Sequence, residues 1–172
     1  MPQSSTINEN IRPDHCSVIV APHLELTLAW TSSGLSRVTL THKTRVSQPD
    51  PLQIPPFVTH ALQLLRAYFT GIPTAFSDIP LDPPFASPFQ TAVRRACRTI
   101  PWGHTRSYSW IASRIGRTNA SRAVGNALAR NPLPIIIPCH RVIRADGTLG
   151  GFTLGPRIKT HLLKLENVQL QA

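Results

Sequence analysis

The stretch Ser107–Arg130, SYSWIASRIGRTNASRAVGNALAR, predicts two short helices joined by a tight turn, and the rest of the second half of the chain is interpreted around it. Ser107 can cap the first helix, Tyr108–Ile115, whose apolar residues keep helical spacing, and Gly116 fits the position after its C-terminus. The second helix is predicted over Ser121–Arg130 and ends before an Asn-Pro pair. Two helices around a tight turn are typical of a helix-turn-helix motif.

The second helix of this motif has very small side chains on much of its surface: Ala120, Ala123, Gly125 and Ala127. A helix that reads bases in the major groove would carry Asn, Gln or Arg at such positions. Two interpretations stay open, namely tight packing against another helix, or insertion into the minor groove, where little sequence is read. In the second case Arg122, at the start of the helix, would enter the base stack.

The charge of the chain is concentrated in the half that contains this motif. Residues 1–91 carry five Lys/Arg and six Asp/Glu, a net charge of −1, whereas residues 92–172 carry thirteen Lys/Arg and two acids, a net charge of +11. Such a one-signed half indicates a polyanionic partner. No amphipathic Lys-rich stripe is present, and this absence favours nucleic acid over a membrane surface.

The first half predicts an α/β arrangement. Leu24–Trp30 and Leu35–Leu40 alternate apolar and polar residues around a short turn, as in a hairpin, and a helix is predicted near Val58–Phe69, with Leu62, Leu65 and Phe69 on one side. A second helix starts at Ser87-Pro88 and ends before Pro101. We therefore expect a disordered lead-in over 1–15, an N-terminal α/β domain over 16–86 and a C-terminal domain over 87–172.

The three cysteines are too few and too widely spaced to predict a disulfide framework. Cys97 falls on the apolar face of its helix and is expected to be a buried thiol. His15, Cys16 and His23 come closest to a zinc site but do not supply four closely spaced ligands, so no metal is expected. No apolar run approaches the ~20 residues that span a bilayer, and the polar N-terminus lacks a signal-peptide pattern. We expect a cytoplasmic protein.

Residues 131–144, NPLPIIIPCHRVIR, contain the candidate nucleophile. Ile135–Ile137 predicts a buried extended segment, after which Cys139, His140 and Arg141 follow directly. Positive neighbours favour the thiolate, which is the nucleophilic form, and His140 would act on it through a water. An inert buried cysteine is the alternative. Glu166 is either a surface salt-bridge partner or the partner of His140, and the spacing does not decide between them.

These residues resemble those of the O6-alkylguanine-DNA alkyltransferases, also called methylated-DNA–protein-cysteine methyltransferases. The resemblance extends over 89–167 and is weaker in the N-terminal half. Members of that family have an N-terminal α/β domain of ribonuclease-H-like shape, followed by a mostly helical domain with a winged helix-turn-helix. The motifs that carry the match are Ile100-Pro101-x-Gly103, Ser107-Tyr108, Arg122–Gly125 (RAVG), Asn131-Pro132, Pro138–Val142 (PCHRV), Gly150–Phe152, Gly155 and Lys159.

The resemblance implies a role for each site residue. Cys139 would accept the alkyl group, His140 would be its water-linked general base, and Glu166 would orient His140. Asn131 would hold the turn before the active-site strand, and Tyr108 would support nucleotide rotation and donate toward N3 of the base.

The resemblance also implies a DNA surface and a substrate pocket. Arg122 would enter the duplex and fill the space of the extruded nucleotide. Carbonyls near Cys139 and Val142 would accept from the guanine amine, and the amide of Thr153 would meet O6. The predicted DNA-binding residues are Arg122, Ala123, Gly125, Ala127, Arg130, Arg141, Thr105 and Ser107, and the predicted pocket residues are Val142, Phe152, Thr153 and Leu154.

Two positions depart from the family pattern. Arg94 stands where many members have Trp, which affects packing or DNA contact, and Leu154 stands at a variable position beside the pocket. The resemblance implies a monomer without cofactor or obligate protein partner. Such a protein binds double-stranded DNA, flips the damaged nucleotide and transfers the alkyl group from O6-alkylguanine, with O4-alkylthymine as a further substrate, to Cys139 in one irreversible turnover.

Three rival functions differ in class from this one. A non-catalytic lesion sensor of the same family would lack the acceptor cysteine. A helix-turn-helix regulator that reads sequence would need larger side chains on its second helix. A thiol hydrolase would need a pocket with oxyanion donors.

Overall fold

The computed structural model describes residues 14–21, 24–41, 54–84 and 86–169. The described chain begins with a three-stranded antiparallel sheet in the order β1-β2-β3, formed by β1 (Asp14–Ala21), β2 (Leu24–Thr31) and β3 (Gly34–Thr41). The predicted hairpin is thus confirmed, but the sequence reading missed β1. Its first residues, Asp14 and His15, belong to the segment predicted as disordered, and the prediction is wrong for these two. Residues 1–13 lie outside the described part of the chain.

Helix α1 (Pro56–Phe69) follows the sheet and confirms the predicted helix. Its fully buried face consists of Val58, Ala61, Leu65 and Tyr68. The face predicted from the sequence is rotated, because Leu62 and Phe69 are only partly buried. Tyr68 therefore points inward and places a hydroxyl group inside the core.

Helix α2 (Pro88–Arg98) starts with a capping box, in which Ser87 Oγ accepts from Gln90 N at 3.2 Å and Gln90 Oε1 accepts from Ser87 N at 3.0 Å. The predicted start is confirmed. The helix buries Val93 and Cys97, so Cys97 is the buried free thiol that the sequence predicts.

The two predicted helices of the helix-turn-helix stretch are present as α3 (Tyr108–Arg114) and α4 (Ser121–Ala129). Ser107 Oγ caps α3 by accepting from Trp110 N at 3.0 Å, and Gly116 adopts a positive φ of 70° after its end. Helix α4 packs against both α2 and α3.

The segment after α4 differs from its predicted form. Residues 133–138 are buried as expected, but they form a turn in which Ile135 has a φ of 75°, so the predicted extended segment is wrong. The chain then makes one 3-10 turn, Cys139–Arg141. Two short strands, β4 (Arg106–Ser107) and β5 (Val142–Ile143), pair in parallel, and helix α5 (Pro156–Leu165) packs against the Cys139–Arg141 turn.

The described residues thus form a mixed α/β fold with five α-helices and two small sheets. One hydrophobic core extends from Leu26 and Tyr68 in the first half to Cys97, Cys139 and Leu162 in the second. This continuity brings side chains of α1 next to the turn that carries Cys139. None of the helices within the described residues is long and apolar enough to cross a membrane.

Candidate functional site

Cys139 lies at the inner wall of a cavity of about 730 Å³ that opens beside α4. Its side chain is almost fully buried, with 4% of the residue surface exposed. The other lining residues come from α3, α4 and the 144–153 segment and include Tyr108, Arg122, Gly125, Asn126, Ala129, Arg144, Gly150, Gly151, Phe152 and Thr153. A group that enters this cavity can therefore reach the sulfur.

Asn131 holds the turn that presents Cys139. Its Nδ2 donates to Cys139 Sγ at 3.1 Å and to Ile137 O at 3.0 Å, and its Oδ1 accepts from Leu133 N at 3.0 Å. These bonds tie both ends of the buried turn to one side chain. Asn131 is itself buried, so the three bonds form without competition from solvent.

The thiol of Cys139 is in an apolar setting that opposes its ionisation. Burial raises its pKa to about 11, although the hydrogen bond from Asn131 and the nearby charge of Lys159 lower it in part. The prediction that adjacent cations favour the thiolate is therefore wrong for the resting protein. The guanidinium of Arg141 is bonded to Glu166. Burial lowers the pKa of His140, which favours the neutral imidazole.

His140 belongs to a buried network centred on Glu166. His140 Nε2 lies 2.8 Å from Glu166 Oε1, and Tyr68 Oη donates to the same oxygen at 2.6 Å. Arg141 donates from Nε to Glu166 Oε2 at 2.8 Å and from Nη2 to Oε1 at 2.9 Å. Of the two alternatives for Glu166, the structure thus has the buried partner of His140, and not a surface salt bridge.

The network fixes the charge of Glu166 and leaves one imidazole nitrogen free. Burial alone would raise the pKa of Glu166, but the hydrogen bonds from His140 and Arg141 lower it to about 2, so it is ionised at neutral pH. His140 Nδ1 is buried and has no hydrogen-bond partner in the part of the chain that the structure describes. This nitrogen is available to take a proton.

Arg141 is buried and does not present its charge to solvent. Only 5% of its surface is exposed, and its guanidinium is bonded to Glu166 and, through Nη1, to Ile100 O at 2.7 Å. The predicted DNA-binding role of Arg141 is therefore wrong. Its guanidinium forms a bidentate pair with the buried carboxylate of Glu166, so its charge is neutralised inside the protein.

Tyr108 and the glycine pair Gly150-Gly151 also line the cavity. Tyr108 Oη donates to Gly151 O at 3.3 Å, and burial raises the pKa of this hydroxyl. Gly150 has a φ of 64°, and a Cβ built on it would lie 2.8 Å from Tyr108 Oη. Gly125 faces the same ring, at 3.7 Å from an ideal Cβ to Cε1. Small residues thus leave the space that the tyrosine occupies.

Lys159 is a site residue that sequence reasoning noted only as part of a motif. It is fully buried, and its Nζ donates to Val142 O at 2.6 Å, to Leu149 O and to Gly151 O at 3.3 Å. Burial lowers its pKa to about 8. The ammonium of Lys159 therefore links β5 to the loop over residues 149–151, which borders the cavity. The signal for this role in the sequence was a lysine at a helix position with apolar neighbours.

The face that α4 exposes differs from the predicted one at two positions. Arg122, Ala123 and Arg130 are exposed, as the predicted surface requires, and Gly125 is partly exposed beside the cavity. Ala127 is buried in the core, so its predicted contact with DNA is wrong. Asn126, which the sequence reading passed over, is exposed and lines the cavity.

Of the four predicted pocket residues, two line the cavity and two do not. Phe152 and Thr153 line it, and Thr153 Oγ1 donates to Ala129 O at 3.0 Å. Val142 and Leu154 are not among the lining residues, and Val142 is fully buried.

Two of the predicted DNA-binding residues lie just before α3. Thr105 is partly buried there, and the hydroxyl of Ser107 is occupied as the cap of that helix.

The candidate zinc ligands lie outside the residues whose side chains the structure describes. His15 and Cys16 lie in β1, whose side chains are outside the described set, and His23 is outside it entirely. Among the residues that are described, no group of three or more His, Cys, Asp and Glu side chains is placed to hold a metal ion.

Comparison with known proteins gives consistent results. A family model described as 6-O-methylguanine DNA methyltransferase, DNA binding domain, matches residues 88–168. A methylated-DNA–protein-cysteine methyltransferase of Methanosarcina acetivorans is 42% identical over 152 residues, which is 87% of this chain and 96% of the relative. The protein of that name from Mycobacterium tuberculosis H37Rv is 42% identical over 159 residues, 92% of this chain and 95% of the relative.

Solved structures show the same likeness. The chain matches Mycobacterium tuberculosis OGT, crystallised in complex with DNA, with a TM-score of 0.75 and 42% identity, covering 88% of this chain and 91% of that one. An O6-methylguanine DNA methyltransferase from Methanococcus jannaschii gives a TM-score of 0.64 at 27% identity, covering 91% and 96%.

Proposed function

The chain belongs to the methylated-DNA–protein-cysteine methyltransferase family, and on that basis we propose that it repairs DNA by transferring the alkyl group of O6-alkylguanine to Sγ of Cys139. The observation that carries the proposal is the position of Cys139. Its sulfur lies at the inner wall of a cavity that borders Arg122 and the exposed face of α4. A nucleotide turned out of a duplex held on α4 would meet the sulfur there.

The thiol must lose its proton during the reaction, because at neutral pH a pKa of about 11 leaves little thiolate at rest. We propose that the proton passes through a water to His140 Nδ1, the buried nitrogen without a described partner. Glu166 is ionised and bonded to Nε2, so it would stabilise the imidazolium that forms. Burial that holds the resting thiol neutral also protects it from unrelated electrophiles.

The transfer itself is a displacement at the alkyl carbon. The sulfur–carbon bond forms while the bond from carbon to O6 breaks, and the electron pair of that bond stays with guanine. Tyr108 would donate a proton to N3 of the leaving base, because its hydroxyl lies at the cavity wall. The product is a thioether on Cys139, and the transfer would need no metal or organic cofactor. Since none of the described residues that line the cavity is suited to reverse this bond, each molecule would act once.

The DNA would lie on α3 and α4, which would act as a winged helix-turn-helix attached to an N-terminal unit of ribonuclease-H-like shape. The exposed side chains Arg122, Ala123, Asn126 and Arg130 support this orientation. The small residues of α4 would let its backbone approach the minor groove, and Arg122 would fill the space of the extruded nucleotide. Neutralisation of phosphates by the basic half would make binding strongly dependent on salt.

Finer points extend the same proposal. The amide of Thr153 would meet O6, and carbonyls near Cys139 and Val142 would accept from the guanine amine. Val142 O already accepts from Lys159 and would use its second lone pair. The domain boundary near 87, action on O4-alkylthymine, a monomeric state and a cytoplasmic location, where the free thiols of Cys97 and Cys139 would stay reduced, are also proposals.

A stoichiometry assay tests the proposed function. Duplex DNA with a radiolabelled methyl group on O6 of guanine is added in excess, and the label bound to protein is counted. We expect one methyl group per molecule, no further transfer on a second addition, and no transfer by Cys139→Ser. Repeated turnover, or normal transfer by Cys139→Ser, would overturn the proposal. Cys97→Ser serves as the matched control and should keep the stoichiometry.

A further inference from the structure

Three arginines from three elements meet in a groove of about 330 Å³ between β3, α2 and the end of α4. Arg37 belongs to β3, Arg94 to α2, and Arg130 follows α4. The two halves are fastened here, because Val38 N donates to Pro132 O at 2.8 Å. No Asp or Glu is among the described residues that line the groove. Its lining is therefore strongly positive.

Arg94 is buried and only partly bonded. It is 7% exposed, and its Nη2 donates to Arg130 O at 3.0 Å. Its Nε and Nη1 are buried and have no hydrogen-bond partner in the described part of the chain. Burial lowers the pKa of this guanidinium, yet an arginine side chain keeps its charge at neutral pH. A buried, unpaired cation is unfavourable unless an anion or further acceptors approach it.

A structural role as a helix cap accounts for only one of these contacts. Arg94 Nη2 satisfies a carbonyl at the C-terminal end of α4, where a cation is favourable. That role uses one nitrogen and leaves two buried donors unsatisfied. None of the ion pairs between described residues includes Arg37, Arg94 or Arg130. The cluster thus lacks a counter-charge among the described residues, and Arg94, which carries the two unpaired donors, is one of the residues that line the groove.

From these observations we infer that Arg37, Arg94 and Arg130 form a binding site for a phosphate group. Planar guanidinium groups present paired donors that match phosphate oxygens, and three of them can surround one anion. The site explains why an arginine stands at position 94, where the family resemblance predicts tryptophan.

The source of the phosphate that fits best is the backbone of bound DNA, and this part of the inference rests on the proposed function. Ala129 and Thr153 line both this groove and the cavity of Cys139, so the groove continues the surface on which DNA is proposed to lie. It would add to α4 a phosphate contact that reaches β3 of the first half. A free phosphate ion presents the same chemistry and is the other source to be tested.

Salt titration of binding to undamaged duplex tests the inference. Arg37→Gln and Arg94→Gln should each lower the slope of the logarithm of affinity against the logarithm of salt by up to about 0.9, the value for one phosphate contact. Arg95→Gln is the charge-matched control, because Arg95 is an exposed neighbour on α2 that lines a different groove. Arg37 is exposed, so Arg37→Gln gives a result even if Arg94→Gln fails to fold. Calorimetry with inorganic phosphate on the same four proteins forms the second arm.

Each outcome decides the inference. Lower slopes in the two test variants but not in Arg95→Gln support a DNA phosphate at the site. Unchanged slopes, with phosphate binding lost in the test variants only, support the site with a free phosphate as its ligand. The inference is overturned if the two test variants have the same slope as Arg95→Gln and the wild-type protein binds no phosphate. Methyl transfer is counted separately, so a wild-type protein that binds as expected but transfers nothing would reject the proposed function and not the site.

Discussion

Tyr68 and Glu166 lie 98 positions apart in the chain and are joined by a buried hydrogen bond of 2.6 Å from Tyr68 Oη to Glu166 Oε1. The tyrosine comes from α1 in the first half, and the glutamate follows α5 at the end of the second. Tyr68 Oη is also 3.3 Å from His140 Nε2. The half of the chain that does not contain Cys139 therefore helps to set the position of the imidazole of His140.

Removing this hydroxyl should affect both stability and reaction rate. In Tyr68→Phe the ring still packs but Glu166 loses a buried donor, so the free energy of unfolding should fall by about 1–3 kcal/mol. As a positioning residue, Tyr68 should also change the pH at which His140 titrates, which can be followed by NMR of the imidazole. A variant with unchanged stability, an unchanged His140 titration and an unchanged transfer rate would show that the contact has no role.

The pKa of about 11 for Cys139 predicts its reactivity toward a small electrophile. Below that pH the thiolate fraction rises about tenfold with each pH unit, so alkylation by iodoacetamide should keep accelerating from about pH 7 to about pH 9. The rate at this cysteine is read by peptide mass spectrometry, which separates it from Cys97. A plateau already reached at about pH 7 would mean that the protein stabilises the thiolate at rest.

The glycine pair beside Tyr108 provides a matched test of the cavity wall. In Gly150→Ala a methyl group would approach Tyr108 Oη at 2.8 Å from a backbone with a φ of 64°, so the tyrosine or the loop must move. An ideal Cβ on Gly151 meets nothing within 4 Å. We expect transfer to be slowed at least about tenfold in the first variant, corresponding to ~1.4 kcal/mol, and much less in Gly151→Ala, as measured by single-turnover kinetics. Equal transfer rates in the two variants would show that the position of Tyr108 does not affect the reaction.

Arg122 is exposed at the first turn of α4 and lines the cavity. If it fills the space of the extruded nucleotide, Arg122→Gln should slow repair of duplex DNA by about tenfold or more, because unstacking is no longer offset. Transfer from a free O6-alkylguanine base, such as O6-methylguanine, should be unaffected. Arg117→Gln, at another exposed arginine, is the control. Equal slowing with duplex and free base would contradict the proposed role.

Local patterns predicted much of this fold because they report local physics. The capped start of α2 at Ser87, the positive-φ glycine after α3 and the start of α4 at Ser121 all depend on residues close in sequence. The extended form predicted for Ile135–Ile137 is wrong for a nonlocal reason. Asn131 bonds to Leu133 N and to Ile137 O and so holds the chain between them as a turn, which apolar composition alone does not reveal.

The site was harder to predict than the fold because burial decides its electrostatics. Arg141 follows His140 in sequence and was expected to face DNA, but Glu166 neutralises it in the interior. For the same reason the adjacent cations do not make Cys139 a resting thiolate, since desolvation outweighs them. Tyr68 carried no signal, because its partners lie 72 and 98 positions away.

The central claim is that the alkyl group ends on one sulfur, at Cys139. Peptide mass spectrometry of the protein after reaction with duplex DNA containing O6-methylguanine tests it most directly. We predict one added methyl group on the peptide that contains Cys139 and none on the peptides with Cys97 or Cys16. A methyl group on either of those cysteines, or its loss from the DNA without any modified peptide, would contradict the claim.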